Sequence, residues 1–374
     1  MKIPFLSFNK INSEIKNEIL DFFNVFFDSK NYILGPKVEQ FEKEYALFNK
    51  TDYCVGISNG YDALFLALKA LDIKKGDEVL VPSNTFIATV LAVTRCDAIP
   101  VLVEPSLKTY NIEAVQIEKK ITKKTKAIIP VHLYGSPCNM TEIIIVSKRY
   151  KIPIIEDNAQ AQGAMWGGQL TGSFGEINAV SFYPGKNLGA LGDAGAVTTN
   201  SEKLYDAVMT LRNYGSKTKY NNELMGYNSR LDECQAGFLS IKLKHLDQWN
   251  LERRIIAKLY SDTLRGVGDL ILPEEEEKAY SVYHIFNIRT NHRDSLRNHL
   301  NINQIQTLIH YPIPPHKQNC FQEFEFSEHS YPIAEELSRT SLSLPIWPGM
   351  SIDEVDFISS KIQLFFKNQT PKIN

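Results

Sequence analysis

Two residues stand out as able to do chemistry together. Asp157 ends the run Ile155-Glu156-Asp157, and Lys186 sits 29 residues later in Ser181-Phe182-Tyr183-Pro184-Gly185-Lys186-Asn187-Leu188-Gly189. A carboxylate just beyond an apolar strand lies where open α/β sheets bind ligands. It could pair with a cofactor nitrogen, bind a metal, cap a helix or form a structural ion pair. Glu156 and Asp157 alternate along the strand, so only one of them points into a given face. The lysine could be an ordinary surface residue on a turn. Held in a loop dense in Gly and Pro, it could instead be desolvated, which lowers its pKa and makes the neutral amine nucleophilic toward aldehydes. A strand-end carboxylate paired with such a lysine is the layout that pyridoxal phosphate requires. A third segment, Ser58-Asn59-Gly60-Tyr61-Asp62, follows a strand and opens a helix. It offers a phosphate site at a helix N-terminus, with Gly60 allowing close approach, or a plain N-cap.

These residues need a scaffold, and the first 200 positions describe one. Short apolar, β-branched runs at 53–57, 78–82, 98–103, 126–132, 152–156, 179–182 and 196–199 alternate with helical patterns. Continuous apolar strands separated by helices predict an α/β sheet covered on both faces. Val38, Phe41, Tyr45 and Phe48 share one helix face, with Gly35-Pro36 marking its start, and the apolar stretch 61–71 predicts a buried helix. Ile15, Ile19, Phe22 and Phe26 mark an amphipathic helix within the first 30 residues, and Leu231, Cys234, Phe238 and Ile241 mark a later one. Beyond about residue 245 the texture changes. A long helix at 248–264 leads to the acidic run 274–277, read as a solvated loop. A strand at 280–290, a helix at 293–300 and a last helix opened by the capping box Ser351-x-x-Glu354 follow, before a frayed tail from Lys367. The expected domains are 1–245, a large α/β unit, and 246–374, a smaller α+β unit.

Composition narrows the partners. Of 374 residues, 41 are Lys or Arg and 43 Asp or Glu, a net charge of -2 that leaves no basic footprint for nucleic acid or a membrane surface. The five cysteines are scattered without a CxxC, which argues against a zinc site or disulfide scaffold and for a reducing compartment. No run reaches the roughly 18 apolar residues of a membrane span, and the opening MKIPFLSFNK lacks a signal peptide's apolar stretch. A cytoplasmic protein acting on small molecules is expected.

Nine segments in order carry a resemblance: PFLSFNKI, YILGPKVEQFEKEYA, SNGYDAL, GDEVLVPSNTFIAT, EDNAQAQGA, SFYPGKNLGALGDAG, GYNSRLDECQAG, HYPIPPHKQ and LSLPIWPGMSIDEV. Across essentially the whole chain the sequence resembles the sugar-nucleotide aminotransferases among the fold-type I pyridoxal-phosphate enzymes. The resemblance implies a large domain with a seven-stranded, mostly parallel sheet between helices, plus a smaller C-terminal α+β domain. It implies that Lys186 carries the cofactor, that Asp157 pairs with the ring nitrogen and that Gln160 contacts the ring's phenolic oxygen. Phe86 would stack on the ring, and Ser181 with the backbone of Asn59, Gly60 and Tyr61 would hold the phosphate. Asn228 would reach that phosphate from a neighbouring subunit, so each site would need a homodimer. Tyr183, Lys219, His310 and Tyr311 would line the sugar-nucleotide pocket; His310 could equally be a turn residue. Arg230 would bind the amino donor's carboxylate or pair with Asp232 or Glu233. Two positions depart from the pattern: Tyr61 replaces a small hydroxyl residue, and Asn158 replaces an alanine.

The implied reaction takes an amino group from L-glutamate and places it on a nucleotide-linked keto-sugar, through pyridoxamine phosphate. EDNAQA and SNGYDAL most resemble enzymes that aminate C-3 of dTDP-linked 6-deoxyhexoses for cell-surface glycans such as O-antigen or S-layer glycan. The alternatives are amination at C-4 of a dTDP-, UDP- or GDP-linked sugar and, in another class, a regulator that binds the cofactor without turnover. A dehydratase branch of the family carries histidine where Lys186 stands.

Overall fold

The computed structural model describes residues 1–324, 326 and 330–369. The end of the expected frayed tail, residues 370–374, lies outside them. Twelve α-helices occur among the described residues, and the seven apolar runs all form strands, with bounds up to four residues from those expected: the run 126–132 pairs only over Thr125–Ile128, and 152–156 only from Ile155. We label these strands β1 (Tyr53–Ile57), β2 (Glu78–Pro82), β3 (Ile99–Val103), β4 (Thr125–Ile128), β5 (Ile155–Asp157), β6 (Ile177–Ser181) and β7 (Gly195–Thr199). Hydrogen bonding orders them β1-β7-β6-β5 and β4-β2-β3. Parallel bridges from Ile128 to Ile154 and from Val131 to Asp157 join the two groups into one seven-stranded sheet. Only β7 runs against its neighbours, so the sheet is mostly parallel, as expected. Val79, Leu80 and Val81 are fully buried on both faces, the condition that favours an unbroken apolar strand over an alternating one.

The helices that matter for the site are α1 (Asn9–Ser29), α2 (Pro36–Asn49), α3 (Gly60–Ala70) and α4 (Ile87–Thr94). Every residue of α3 from Ala63 to Leu68 is buried, which accounts for its apolar circumference. The C-terminal residues build a second apolar cluster, in which Tyr260, Phe286, Leu296, Leu342, Val355 and Ile358 pack together. Ile3 joins that cluster and bridges to Ile305. The Ser351 capping box forms in both directions, Glu354 N–H to Ser351 Oγ at 3.2 Å and Ser351 N–H to Glu354 Oε2 at 2.8 Å.

Two local expectations change. The single strand expected over 280–290 divides into Ala279–Tyr280, paired with Trp166 and Met165, and Phe286–Arg289, paired with Ser341–Leu344. The residues between them bond elsewhere: Val282 N–H donates to the Gly135 carbonyl, and Ile285 N–H to that of Tyr134. The acidic run is also less solvated than expected, because Glu275 pairs with Arg254 at 2.7 Å and accepts from Ser281 N–H at 2.6 Å.

Candidate active site

The lysine loop leaves the sheet at Ser181 and folds back on itself. Lys186 N–H donates to the Tyr183 carbonyl at 2.8 Å, and Ala190 N–H closes onto the Phe182 carbonyl at 2.8 Å. A Cβ at Gly189 would collide with the Pro184 backbone, which accounts for glycine there. Burial pulls the Lys186 amine down to about 8, against the opposing attraction of the Asp157 carboxylate. The amine is thus neutral for much of the time near pH 8, the form that attacks an aldehyde.

Asp157 ends β5 and faces the same cleft. It accepts Thr89 Oγ1–H at 2.8 Å and Ala159 N–H at 3.2 Å. Burial raises its pKa, and these two bonds with the charge of Lys186 partly offset the rise. Glu156 faces away, and the alternation left open by the sequence is resolved. Its carboxylate accepts the amides of Gly172 (2.7 Å), Phe174 (2.6 Å) and Gly175 (2.8 Å), and lies 2.9 Å from His132 Nε2. His132 Nδ1 accepts from Cys138 N–H, so Nε2 carries the proton toward Glu156. The anchored His132 in turn donates its own N–H to the Asp157 carbonyl at 3.2 Å.

Opposite the lysine loop, α3 presents its N-terminus. Asn59 Oδ1 caps the helix by accepting Asp62 N–H at 2.8 Å. The amides of Gly60 and Tyr61, one turn too early for a helical acceptor, remain as donors for an anion. A Cβ on Gly60 would stand 2.5 Å from that of Ser181, and one on Gly195 would stand 2.5 Å from the Asn59 carbonyl carbon. The phosphate-sized cradle thus exists because these two positions lack side chains. The N-cap and anion-site readings both hold, since the cap uses Asn59 and leaves the first amides open.

A cleft of about 720 Å³ gathers these groups. Asn59, Gly60, Tyr61, Phe86, Asp157, Gln160, Ser181, Tyr183, Lys186, His310 and Tyr311 all line it. Gln160 is held at both ends, accepting Tyr134 N–H at 2.6 Å and donating to the Tyr311 hydroxyl at 3.0 Å. The exposed Phe86 ring stands 5.6 Å from that of Tyr311. His310 Nδ1 meets Ser343 Oγ at 2.8 Å, and burial draws its pKa down to about 4. Lys219, Asn228 and Arg230 do not line the cleft within one chain. Lys219 sits in the exposed turn between Ser216–Thr218 and Asn221–Asn222. Arg230 bonds Asn213 Oδ1 at 3.2 Å and stacks on Tyr214, and Glu233 instead caps α2 by accepting the amides of Gly35, Lys37 and Val38. Thr89, Phe5 and His284 line the cleft without having been read from the sequence. Thr89 was findable, three residues past Phe86 on α4. The other two arrive through long-range packing that no local pattern marks.

The donor set fits pyridoxal phosphate. A partly neutral buried amine suits its aldehyde, a buried carboxylate its ring nitrogen, and the glycine-lined cradle its phosphate. No group of three metal-ligating side chains occurs among the described residues, and no described helix is long and apolar enough to cross a membrane.

Comparison with known proteins agrees. Residues 13–363 match the model of the DegT/DnrJ/EryC1/StrS aminotransferase family. A relative from Aneurinibacillus thermoaerophilus, dTDP-3-amino-3,6-dideoxy-alpha-D-galactopyranose transaminase, is 47% identical over 97% of this chain and 99% of its own. The crystal structure of S. venezuelae DesV in complex with a ketimine intermediate superposes with a TM-score of 0.96 at 42% identity, covering 98% of this chain and 99% of that one. That of ntda from Bacillus subtilis with bound cofactor PMP gives 0.91 at 31% identity, covering 98% and 85%. From residues 13 to 363, the chain is a member of the DegT/DnrJ/EryC1/StrS aminotransferase family, pyridoxal-phosphate enzymes of fold type I that aminate nucleotide-linked sugars.

Proposed function

We propose that this enzyme aminates C-3 of a dTDP-linked 3-keto-6-deoxyhexose, with L-glutamate as donor, to give a dTDP-3-amino-3,6-dideoxyhexose for cell-surface glycans. The observation that carries the reading is the buried Lys186 amine beside Asp157 in one cleft, in a chain so similar to a dTDP-3-amino-3,6-dideoxygalactose transaminase. Bound pyridoxal phosphate supplies an electron sink for a carbanion beside nitrogen. Asp157 would hold the ring nitrogen and favour its protonated form. Gln160 would hold the phenolic oxygen, Phe86 would cover the ring, and Ser181 with the Gly60 and Tyr61 amides would hold the phosphate. With the cofactor bound, Lys186 Nζ would serve as the base that takes the α-proton of glutamate and, with the sugar, as the acid that gives a proton back. One pocket serves both substrates in turn, so ping-pong kinetics are expected.

The remaining substrate residues belong to a homodimer. Among the described residues Lys186 is the one Lys or Arg lining the cleft, yet the cofactor phosphate and a nucleotide diphosphate both bring negative charge. Lys219, Asn228 and Arg230 of a second copy would supply the missing contacts, with Arg230 also available to the carboxylate of glutamate. Tyr183, His310 and Tyr311 of the same chain face the sugar. The test is product identification by NMR after incubation with glutamate and either the 3-keto or the 4-keto dTDP-6-deoxyhexose. A 3-amino product supports the reading, and conversion of the 4-keto sugar alone overturns it.

A further inference from the structure

His284 lies in the bend between Ala279–Tyr280 and Phe286–Arg289, and it lines the cleft with Lys186. Its backbone is held by the buried Arg253, whose guanidinium donates to the carbonyls of Tyr283 at 3.3 Å and His284 at 3.4 Å. Its ring is held by the residue next to the lysine: Nδ1 stands 3.1 Å from Asn187 Oδ1. The Asn187 amide nitrogen donates to the Val282 carbonyl at 3.0 Å and to Asn250 Oδ1 at 2.8 Å. The Asn250 nitrogen is itself engaged with the Gln162 carbonyl at 2.9 Å, so neither amide can turn over. Asn187 Oδ1 can therefore only accept, and His284 carries its proton on Nδ1. Nε2 is left with a lone pair on the cleft side and no hydrogen-bond partner among the described residues. Burial, reinforced by the charges of Lys186 and Arg253, holds the ring far below the usual histidine range and hence neutral.

Of the other acceptors lining the cleft, Gln160 Oε1 and Asp157 already hold protein donors, whereas Asp193 is a carboxylate. Gln160 Oε1 takes Tyr134 N–H, and Asp157 takes Thr89 and Ala159. A fixed, neutral, unoccupied acceptor suits a neutral hydroxyl donor and adds no repulsion toward a diphosphate. We propose that His284 Nε2 accepts a hydrogen bond from a ring hydroxyl of the sugar, fixing how the keto carbon sits over Lys186. The inference rests on the sugar-nucleotide reading and adds a substrate contact to it.

The test uses the cofactor-loaded enzyme and two variants. His284→Asn retains a donor toward Asn187 but removes the cleft acceptor, and His284→Gln restores an amide oxygen near the place of Nε2. Calorimetry would measure dissociation constants for dTDP and for the dTDP-3-amino-sugar. Single-turnover absorbance would follow the glutamate and keto-sugar half-reactions separately. In His284→Asn we expect amino-sugar affinity and the keto-sugar half-reaction to fall about tenfold or more. Affinity for dTDP and the glutamate half-reaction should stay within about threefold, and His284→Gln should recover part of the loss. Unchanged amino-sugar affinity, or an equal fall in both half-reactions, overturns the inference. Failure of the unaltered enzyme to bind any amino-sugar nucleotide overturns the substrate reading itself, and the inference with it.

Discussion

At the scale of single residues, the account turns on the Lys186 amine. Burial places it near 8 against an ordinary 10.5, with Asp157 pulling the other way. A lowered lysine pKa means the nucleophilic form dominates above about pH 8 and is lost tenfold per unit below it. Apoenzyme mixed with pyridoxal phosphate should therefore gain its visible absorbance at a rate that climbs from pH 6 to 8 and then levels. A climb continuing past pH 10 would place the amine in solvent. Lys186→Ala should abolish the band and turnover together. The pairing of Lys186 with Asp157 was legible from a strand end and a Gly-rich loop. Thr89 was within reach, three residues past Phe86, but the part played by His132 was not, because it is defined by what it meets across the sheet.

At the scale of elements, two junctions position the site. The first joins the α3 N-terminus to the end of β6, where Gly60 and Ser181 nearly touch. Gly60→Ala should weaken cofactor affinity at least about tenfold, since backbone must move to admit the methyl and the free amides move with it. Equilibrium titration of apoenzyme measures it, and unchanged affinity would remove the phosphate from this cradle. The second junction is the Glu156 carboxylate, which holds three amides and His132 behind Asp157. Glu156→Leu leaves those buried donors unpaired and should cost at least about 3 kcal/mol in chemical denaturation. The seven strands and most helices were readable because apolar period and β-branching act locally. The bend at 281–285 was not: its residues are apolar enough for a strand, but carbonyls at Tyr134 and Gly135 and the Arg253 guanidinium claim its backbone.

At the scale of the whole molecule, a net charge of -2 conceals the recognition of two anionic partners. The proposed homodimer would resolve this. Tyr220 and Met225 are about 90% exposed beside the turn that carries Lys219, and Tyr214 and Leu224 are half exposed nearby, a surface suited to a second copy. If sites are shared, an inactive Lys186→Ala chain mixed with an impaired Asn228→Asp chain should form hybrids in which one site combines the intact Lys186 of one subunit with the intact Asn228 of the other. Activity should rise on mixing after subunit exchange, whereas independent monomers would give only the sum of the two preparations. No local pattern could place Asn228 relative to Lys186, because in the proposed dimer their meeting would depend on a surface between chains.

The most direct measurement of the central claim is the second half-reaction alone. Enzyme loaded with pyridoxamine phosphate and freed of glutamate is mixed with the 3-keto dTDP-6-deoxyhexose in a stopped-flow spectrophotometer. The account predicts that the visible band of the lysine-bound cofactor returns within one turnover, with one equivalent of 3-amino sugar, and that Lys186→Ala shows no such return. A band that returns with the 4-keto sugar and stays absent with the 3-keto sugar would contradict it.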